Sequence, residues 1–271
     1  MPDELSQAAS CLELPERNIA AVVAYDGTQL SGSQLQANGR TVQGDVEAAL
    51  RVVLKHEARA TLAGRTDAGV HATGQVLAFK TRNRIPAERV PLALNAKLKR
   101  DIRILRASEV SADFHPRFWA TGRVYRYHIA DGASENPLLR NIAGRVREAL
   151  EVEAMRAASE ALIGRQDFAA WQSAGSPSPT TVREVRRIDV YRAASTWALS
   201  ERELIVVEIE ADAFLYQMVR NIVGALVCAG RGELSRAQVQ RLSEGRDRTQ
   251  CPPPAPPMGL SLVQVKYNGF D

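Results

Sequence analysis

The stretch Asn18-Ile19-Ala20-Ala21-Val22-Val23-Ala24-Tyr25 is largely apolar and rich in alanine and β-branched residues, and Asp26-Gly27 follows it as a turn signal. Such a run reads as a buried strand. From Thr28 to Gly39 the chain is rich in Gly, Ser, Asn and Gln and is expected to be flexible. Thr41 then opens a helix, with Val42, Val46, Ala49, Leu50 and Val53 on one face at helical spacing. Strands are predicted over 58–63 and 75–80, and a second helix from Pro86 or Ala87 to about Leu98, with Val90, Leu94 and Leu98 in line. Strands over 102–107 and 123–130 complete the order β-α-β-β-α-β, the split βαβ arrangement of ferredoxin-like domains.

Asp131 to Arg140 holds Gly, Ser, Asn and Pro and marks a boundary. Beyond it the theme repeats loosely. Helices are predicted near 152–162, 215–230 and 235–244, and strands over 182–192, 204–211 and 260–267. The proline-rich 249–257 segment cannot be regular structure. The expected fold class is α+β, in two ferredoxin-like or RRM-like halves with mainly antiparallel sheets. A loose polar tail covers 1–16, an N-terminal subdomain 17–145 and a C-terminal one 146–271. The halves join their sheets or face each other across a cleft, the usual place for a ligand.

Of the 271 residues, 45% are hydrophobic and 24% charged, which excludes fibrous, collagen-like and wholly disordered classes. The longest apolar run, Ile222 to Ala229, falls far short of the ~18–20 residues of a membrane span. The opening MPDELSQAASCLELPER lacks a basic start followed by an apolar stretch, so no secretory signal is expected. Cys11, Cys228 and Cys251 are odd in number and widely spaced, which suggests a reducing compartment. With His56, His71, His115 and His128 scattered, no zinc site is expected. The net charge is +4, and the chain has five lysines against thirty arginines. That excess fits a nucleic-acid surface or an arginine- and alanine-rich coding bias, and composition does not choose.

The densest chemical segment is Gly64-Arg65-Thr66-Asp67-Ala68-Gly69-Val70-His71-Ala72, between two predicted strands. A glycine-punctuated loop there can hold a side chain at a fixed angle. Asp67 beside Arg65 reads either as a carboxylate kept ionised for nucleophilic or base chemistry, or as a turn aspartate bonding its own backbone. On the helix from Leu215, Arg220 points about 200° away from the stripe of Met218, Ile222, Ala225, Leu226 and Ala229. It is either a solvated surface arginine or a cation facing a cleft. Tyr125 and Tyr127 share one face of their strand, as core residues or as a stacking platform. His71 reads as a loop donor and His115 as a support for the Phe114–Phe118 turn.

GRTDAGVHA resembles the active-site segment of the TruA family of tRNA pseudouridine synthases. The resemblance extends in family order through Ala24-Tyr25-Asp26-Gly27-Thr28, Thr41-Val42-Gln43 and Leu94-Asn95. It continues through Phe114-His115-Pro116-Arg117-Phe118, Arg123-Val124-Tyr125-Arg126-Tyr127 and Gly164-Arg165-Gln166-Asp167-Phe168. Phe214-Leu215-Tyr216-Gln217-Met218-Val219-Arg220-Asn221 and Ala255-Pro256-Pro257-Met258-Gly259-Leu260 close it. The chain departs from the family at Ser33, where a Trp is common, at Pro116 and at Gln166.

The resemblance implies Asp67 as catalytic nucleophile, Tyr125 stacked on the target uridine, Arg65 beside Asp67 helping to extrude the nucleotide, and Arg220 paired with Asp67. It implies isomerisation of uridine at positions 38, 39 and 40 of the tRNA anticodon stem-loop. A cytoplasmic homodimer gripping tRNA in a central basic cleft, with no membrane attachment, is also implied. The isomerisation has no net redox change or group transfer, so neither cofactor nor metal is expected. No triphosphate-binding or dinucleotide-binding glycine motif is present. Two rival readings stand beside this one: a non-catalytic RRM-like RNA-binding module, and an aspartate-dependent glycoside-type hydrolase, which needs a second carboxylate.

Overall fold

A computed structural model describes residues 15–133, 135–175, 178–194 and 204–269. The expected polar tail lies, up to residue 14, outside the described residues, as does Cys11. The chain is a mixed α+β protein built on one ten-stranded sheet. The strands are β1 (Arg17–Tyr25), β2 (Thr61–Leu62), β3 (His71–Thr81), β4 (Ile102–Val110), β5 (Ala120–Ala130), β6 (Gly144–Arg145), β7 (Gly164–Asp167), β8 (Val182–Ala193), β9 (Leu204–Ala211) and β10 (Leu260–Tyr267). The helices are α1 (Val42–Leu54), α2 (Val90–Asn95), α3 (Val152–Ser159), α4 (Met218–Gly230) and α5 (Arg236–Gly245).

The order across the sheet is β4-β1-β3-β10-β5-β9-β8-β7, with β2 beside β3 and β6 beside β5. Most pairs are antiparallel; β10 runs parallel to β3 and antiparallel to β5. The last strand of the chain is therefore the seam between β3 and β5. The strands on both sides of this seam lie in one sheet.

Local chemistry explains most element ends. Thr41 caps α1 by accepting the Gly44 N–H at 3.1 Å, and Val42, Val46, Ala49, Leu50 and Leu54 are buried in the main core. Each of the buried valines and leucines contributes about 1.5–3 kcal/mol on burial. Ser235 and Gln238 close a reciprocal capping box at the start of α5.

Several elements differ from the predicted spans. The second strand shrinks from 58–63 to Thr61–Leu62, while the third starts at His71 instead of 75. The early start reflects pairing of His71 and Ala72 with Ser261 and Leu262, a partner no local pattern reveals. The second helix is a short turn at 87–89 followed by α2, which stops at Asn95 and not Leu98. There the Asn95 side chain bonds both the N–H and C=O of Ile104 on β4, at 2.9 and 2.8 Å. The helix expected from Leu215 starts at Met218, because Gln217 adopts a left-handed backbone at φ 57°. The short strands β6 and β7 carry no alternating pattern and were not expected.

The β3–β10 seam depends on Gly74, where a Cβ would lie 2.2 Å from the Val263 carbonyl oxygen. Gly74→Ala is expected to destabilise the protein by about 2 kcal/mol, the usual scale of overpacking. Gly245→Ala, where nothing lies within 4 Å, leaves stability nearly unchanged. Thermal denaturation of the two variants checks this; equal midpoints would contradict a tight seam.

Candidate active site

The loop 63–70 joins β2 to β3 and is gripped from below by buried polar side chains. Ser33, fully buried, donates its N–H to the Thr66 carbonyl at 3.1 Å, and its Oγ accepts the Thr66 N–H at 2.8 Å. The Thr66 hydroxyl bonds the Tyr25 hydroxyl at 2.8 Å. Gln75 donates to the Gly64 carbonyl at 2.9 Å. Burial pushes the Tyr25 phenol up to about 12, so it stays protonated at neutral pH. Gly32 sits at φ 102° with space for no side chain: a Cβ would come within 2.8 Å of the Thr66 oxygen.

The Thr28–Gly39 stretch, expected to be flexible, is pinned. Ser31 N–H bonds the Arg40 carbonyl at 2.7 Å, and Arg40 pairs with Asp101 at 2.8 Å and Asp45 at 2.6 Å. The Arg40 guanidinium holds the Asp101 carboxyl below the usual carboxylate range.

Asp67 projects from this loop with its side chain 21% exposed. Its Oδ2 accepts from Nη1 of Arg220 at 3.0 Å, across 153 residues of sequence. Arg220 lies in the first turn of α4, only 12% exposed, so it is not a solvated surface group. Its Nε donates to the Ala255 carbonyl at 2.8 Å, and Ala255 N–H returns a bond to the Arg220 carbonyl at 2.9 Å. The proline-rich segment thus serves as a strap that aims the guanidinium. Asn221 anchors the same turn: its Nδ2 donates to the Trp171 carbonyl at 2.8 Å, and its Oδ1 accepts from Arg248 at 2.8 Å.

Arg65, two residues earlier, is exposed and forms no ion pair with Asp67. The reading that Arg65 keeps this carboxylate charged is corrected: the Arg65 side chain is exposed to solvent, and the ion-pair partner of Asp67 is Arg220.

Tyr125 and Tyr127 share a face of β5 but differ in role. Tyr127 is 1% exposed and donates to the Pro256 carbonyl at 2.8 Å, which makes it a core residue that holds the strap. Tyr125 is 8% exposed, stands edge-on to Phe214 with centroids 5.1 Å apart, and its hydroxyl has no partner among the described residues. Burial, with the nearby Tyr25 and Asp67, pushes its phenol above the ordinary value, so it is a neutral donor at pH 7. His71 is structural: its Nδ1 accepts the Gly27 N–H at 3.0 Å while Nε2 lies 2.7 Å from the Asn141 carbonyl. Among the described residues, no three His, Cys, Asp or Glu side chains converge to hold a metal ion.

A family model described as tRNA pseudouridine synthase matches residues 21–119 and 158–268. The chain belongs to the tRNA pseudouridine synthase family. Similar relatives, each named tRNA pseudouridine synthase A, come from Geobacter sulfurreducens, Thermoanaerobacter pseudethanolicus and Coxiella burnetii. The first is 41% identical over 93% of this chain and 100% of its own length. The second is 39% identical over the same shares, and the third 40% over 92% of each. A solved Cbf5-Nop10-Gar1 complex aligns over 90% of this chain and 58% of its own at 11% identity and a TM-score of 0.36, a weak likeness.

Within this synthase-family chain, the residue that sequence reading missed is Arg123. It shares the Tyr125 face of β5 and has no carboxylate within ion-pair distance among the described residues. Its Nη1 donates to the Asp212 carbonyl at 2.8 Å, and its Nη2 to the carbonyls of Arg117 at 2.9 Å and Ala63 at 3.2 Å. It therefore ties the head of the Asp67 loop to the 212–217 loop ahead of Arg220. A charged residue at an inward strand position was the available signal.

Hydrogen bonds to charged groups contribute about 1.5–3 kcal/mol each. Arg123→Met is therefore expected to speed amide exchange in 64–69 and 212–217 together, by about tenfold or more. Exchange measured by mass spectrometry checks this; loosening of one loop alone would contradict the tie.

Proposed function

We propose that this chain isomerises uridine to pseudouridine at positions 38, 39 and 40 of the tRNA anticodon stem-loop, with Asp67 as the nucleophile and no cofactor. The observation that carries the reading is the single half-buried carboxylate aligned by Arg220 beside the Tyr125 ring, in a chain of the tRNA pseudouridine synthase family.

The chemistry asks for little more. The C1′–N1 bond breaks, the uracil turns, and C5 bonds to C1′; the C5 proton leaves to solvent and N1 gains one. Asp67 attacks C1′ or C6 of the base, or takes a sugar proton. Arg220, 3.0 Å away, fixes the direction of the carboxylate in a site where each charge acts more strongly than in water. Extrusion of the uridine costs a few kcal/mol, which Arg65, exposed at the loop rim, and stacking on Tyr125 offset. The same reading takes the chain as two α+β subdomains, 17–145 and 146–271, of a cytoplasmic homodimer with a central basic cleft. Its arginine excess fits salt-sensitive binding to an RNA backbone.

The test is tritium release from [5-³H]uridine in unmodified tRNA. Wild type is expected to release tritium. Asp67→Asn is expected to release none while keeping its tRNA affinity within about tenfold, or ~1.4 kcal/mol. A folded, fully active Asp67→Asn would refute the nucleophile, and a wild type silent on every tRNA would refute the synthase. Release of free uracil would instead mark a hydrolase.

A further inference from the structure

Phe118 is the most exposed large apolar side chain among the described residues, at 76%. Its surroundings are rigid. Four residues earlier, Phe114 is 7% exposed and packs on Ala20 and Ala78. Buried Asn18 donates to the carbonyls of Ser111 and Phe114, both at 3.0 Å, and Tyr267 donates to the Pro116 carbonyl at 2.7 Å. The His115 ring stacks on Phe118 with centroids 4.2 Å apart and planes 28° apart. His115 Nδ1 also accepts the N–H groups of Arg117 and Phe118, at 3.2 and 3.3 Å. A ring that already stacks on its neighbour has less rotamer freedom to lose on binding, and at 76% exposure most of its surface is open to a ligand.

The chemistry beside the ring selects the ligand. The Arg117 guanidinium lies over the Phe118 ring, 5.8 Å from its centroid, is exposed, and has no carboxylate partner among the described residues. One largely exposed aromatic ring with one exposed cation matches a single nucleobase and its phosphate. It is too small for a stable protein interface, which needs about 800 Å² per partner. Position agrees: the carbonyls of Arg117 and Ala63 share one nitrogen of Arg123, so this turn abuts the head of the Asp67 loop.

We propose that Phe118 and Arg117 form a stacking subsite for one base of the substrate RNA other than the target uridine. Arg117 takes the phosphate beside that base. The subsite rests on the reading of this chain as a tRNA-modifying enzyme, and it sets affinity and register, leaving the bond-making step to Asp67.

The experiment uses full-length protein and an unmodified tRNA transcript. Binding is measured by filter retention across a salt series, and the single-turnover tritium-release rate at saturating tRNA. Phe118→Ala is expected to weaken binding about tenfold or more while the saturated rate stays within about twofold. Phe118→Trp restores binding; Phe118→Leu, which keeps apolar bulk without a π face, does not. Arg117→Gln weakens binding and lowers the salt slope by about one phosphate contact. Unchanged binding by Phe118→Ala, or full rescue by Leu, would overturn the subsite. So would a change in sedimentation behaviour of Phe118→Ala without RNA, which would make this turn a contact between copies. If wild type releases tritium and Phe118→Ala binds normally, only the subsite fails; if wild type neither binds nor releases, the functional reading fails with it.

Discussion

The ion pair between Asp67 and Arg220 joins a loop of the first half of the chain to the first turn of a helix in the second. At 3.0 Å and an effective dielectric of ~20, two such charges attract by several kcal/mol before desolvation is subtracted. With both side chains mostly removed from water, the pair is worth more in direction than in stability. The rest of the structure serves that direction. Below, Ser33, Thr66, Tyr25 and Gln75 close the backbone of the Asp67 loop; above, Ala255 and Asn221 fix the arginine. The seam strand β10 pairs with both β3, which follows the Asp67 loop, and β5, which carries Tyr125, in one sheet.

Arg123 shows how a half-buried cation is kept with no carboxylate in ion-pair contact among the described residues. Burial pulls its pKa down, yet the carbonyls of Ala63, Arg117 and Asp212 supply enough negative dipole to hold the guanidinium. Because those carbonyls belong to three separate segments, the same bonds make the loops of the site move as one. The proposed catalytic aspartate, its arginine and the exposed aromatic turn thus share a frame, which suits chemistry that needs a base held while it turns.

Much of this was legible in the sequence, for identifiable reasons. The strands Arg17–Tyr25, Val182–Ala193, Leu204–Ala211 and Leu260–Tyr267 have apolar patterns that local reading captures. The place of the last strand between β3 and β5 was not legible, since its register to Tyr125 and His71 leaves no local trace. Asp67 and Arg220 stood out in motifs and the family resemblance implied their pairing, but no local pattern reveals a contact that spans 153 residues. Closeness in sequence misled at Arg65, whose side chain is exposed while Asp67 pairs with Arg220. Composition likewise suggested mobility for Thr28–Gly39, where the polar side chains are spent on hydrogen bonds that order it.

The most direct test of the central claim is the single-turnover rate of tritium release by Arg220→Gln, measured with saturating tRNA. The account predicts a fall of at least about a hundredfold, on the scale of losing one preorganised charge contact, with tRNA affinity within about threefold of wild type. A folded Arg220→Gln protein that turns over at the wild-type rate would contradict it.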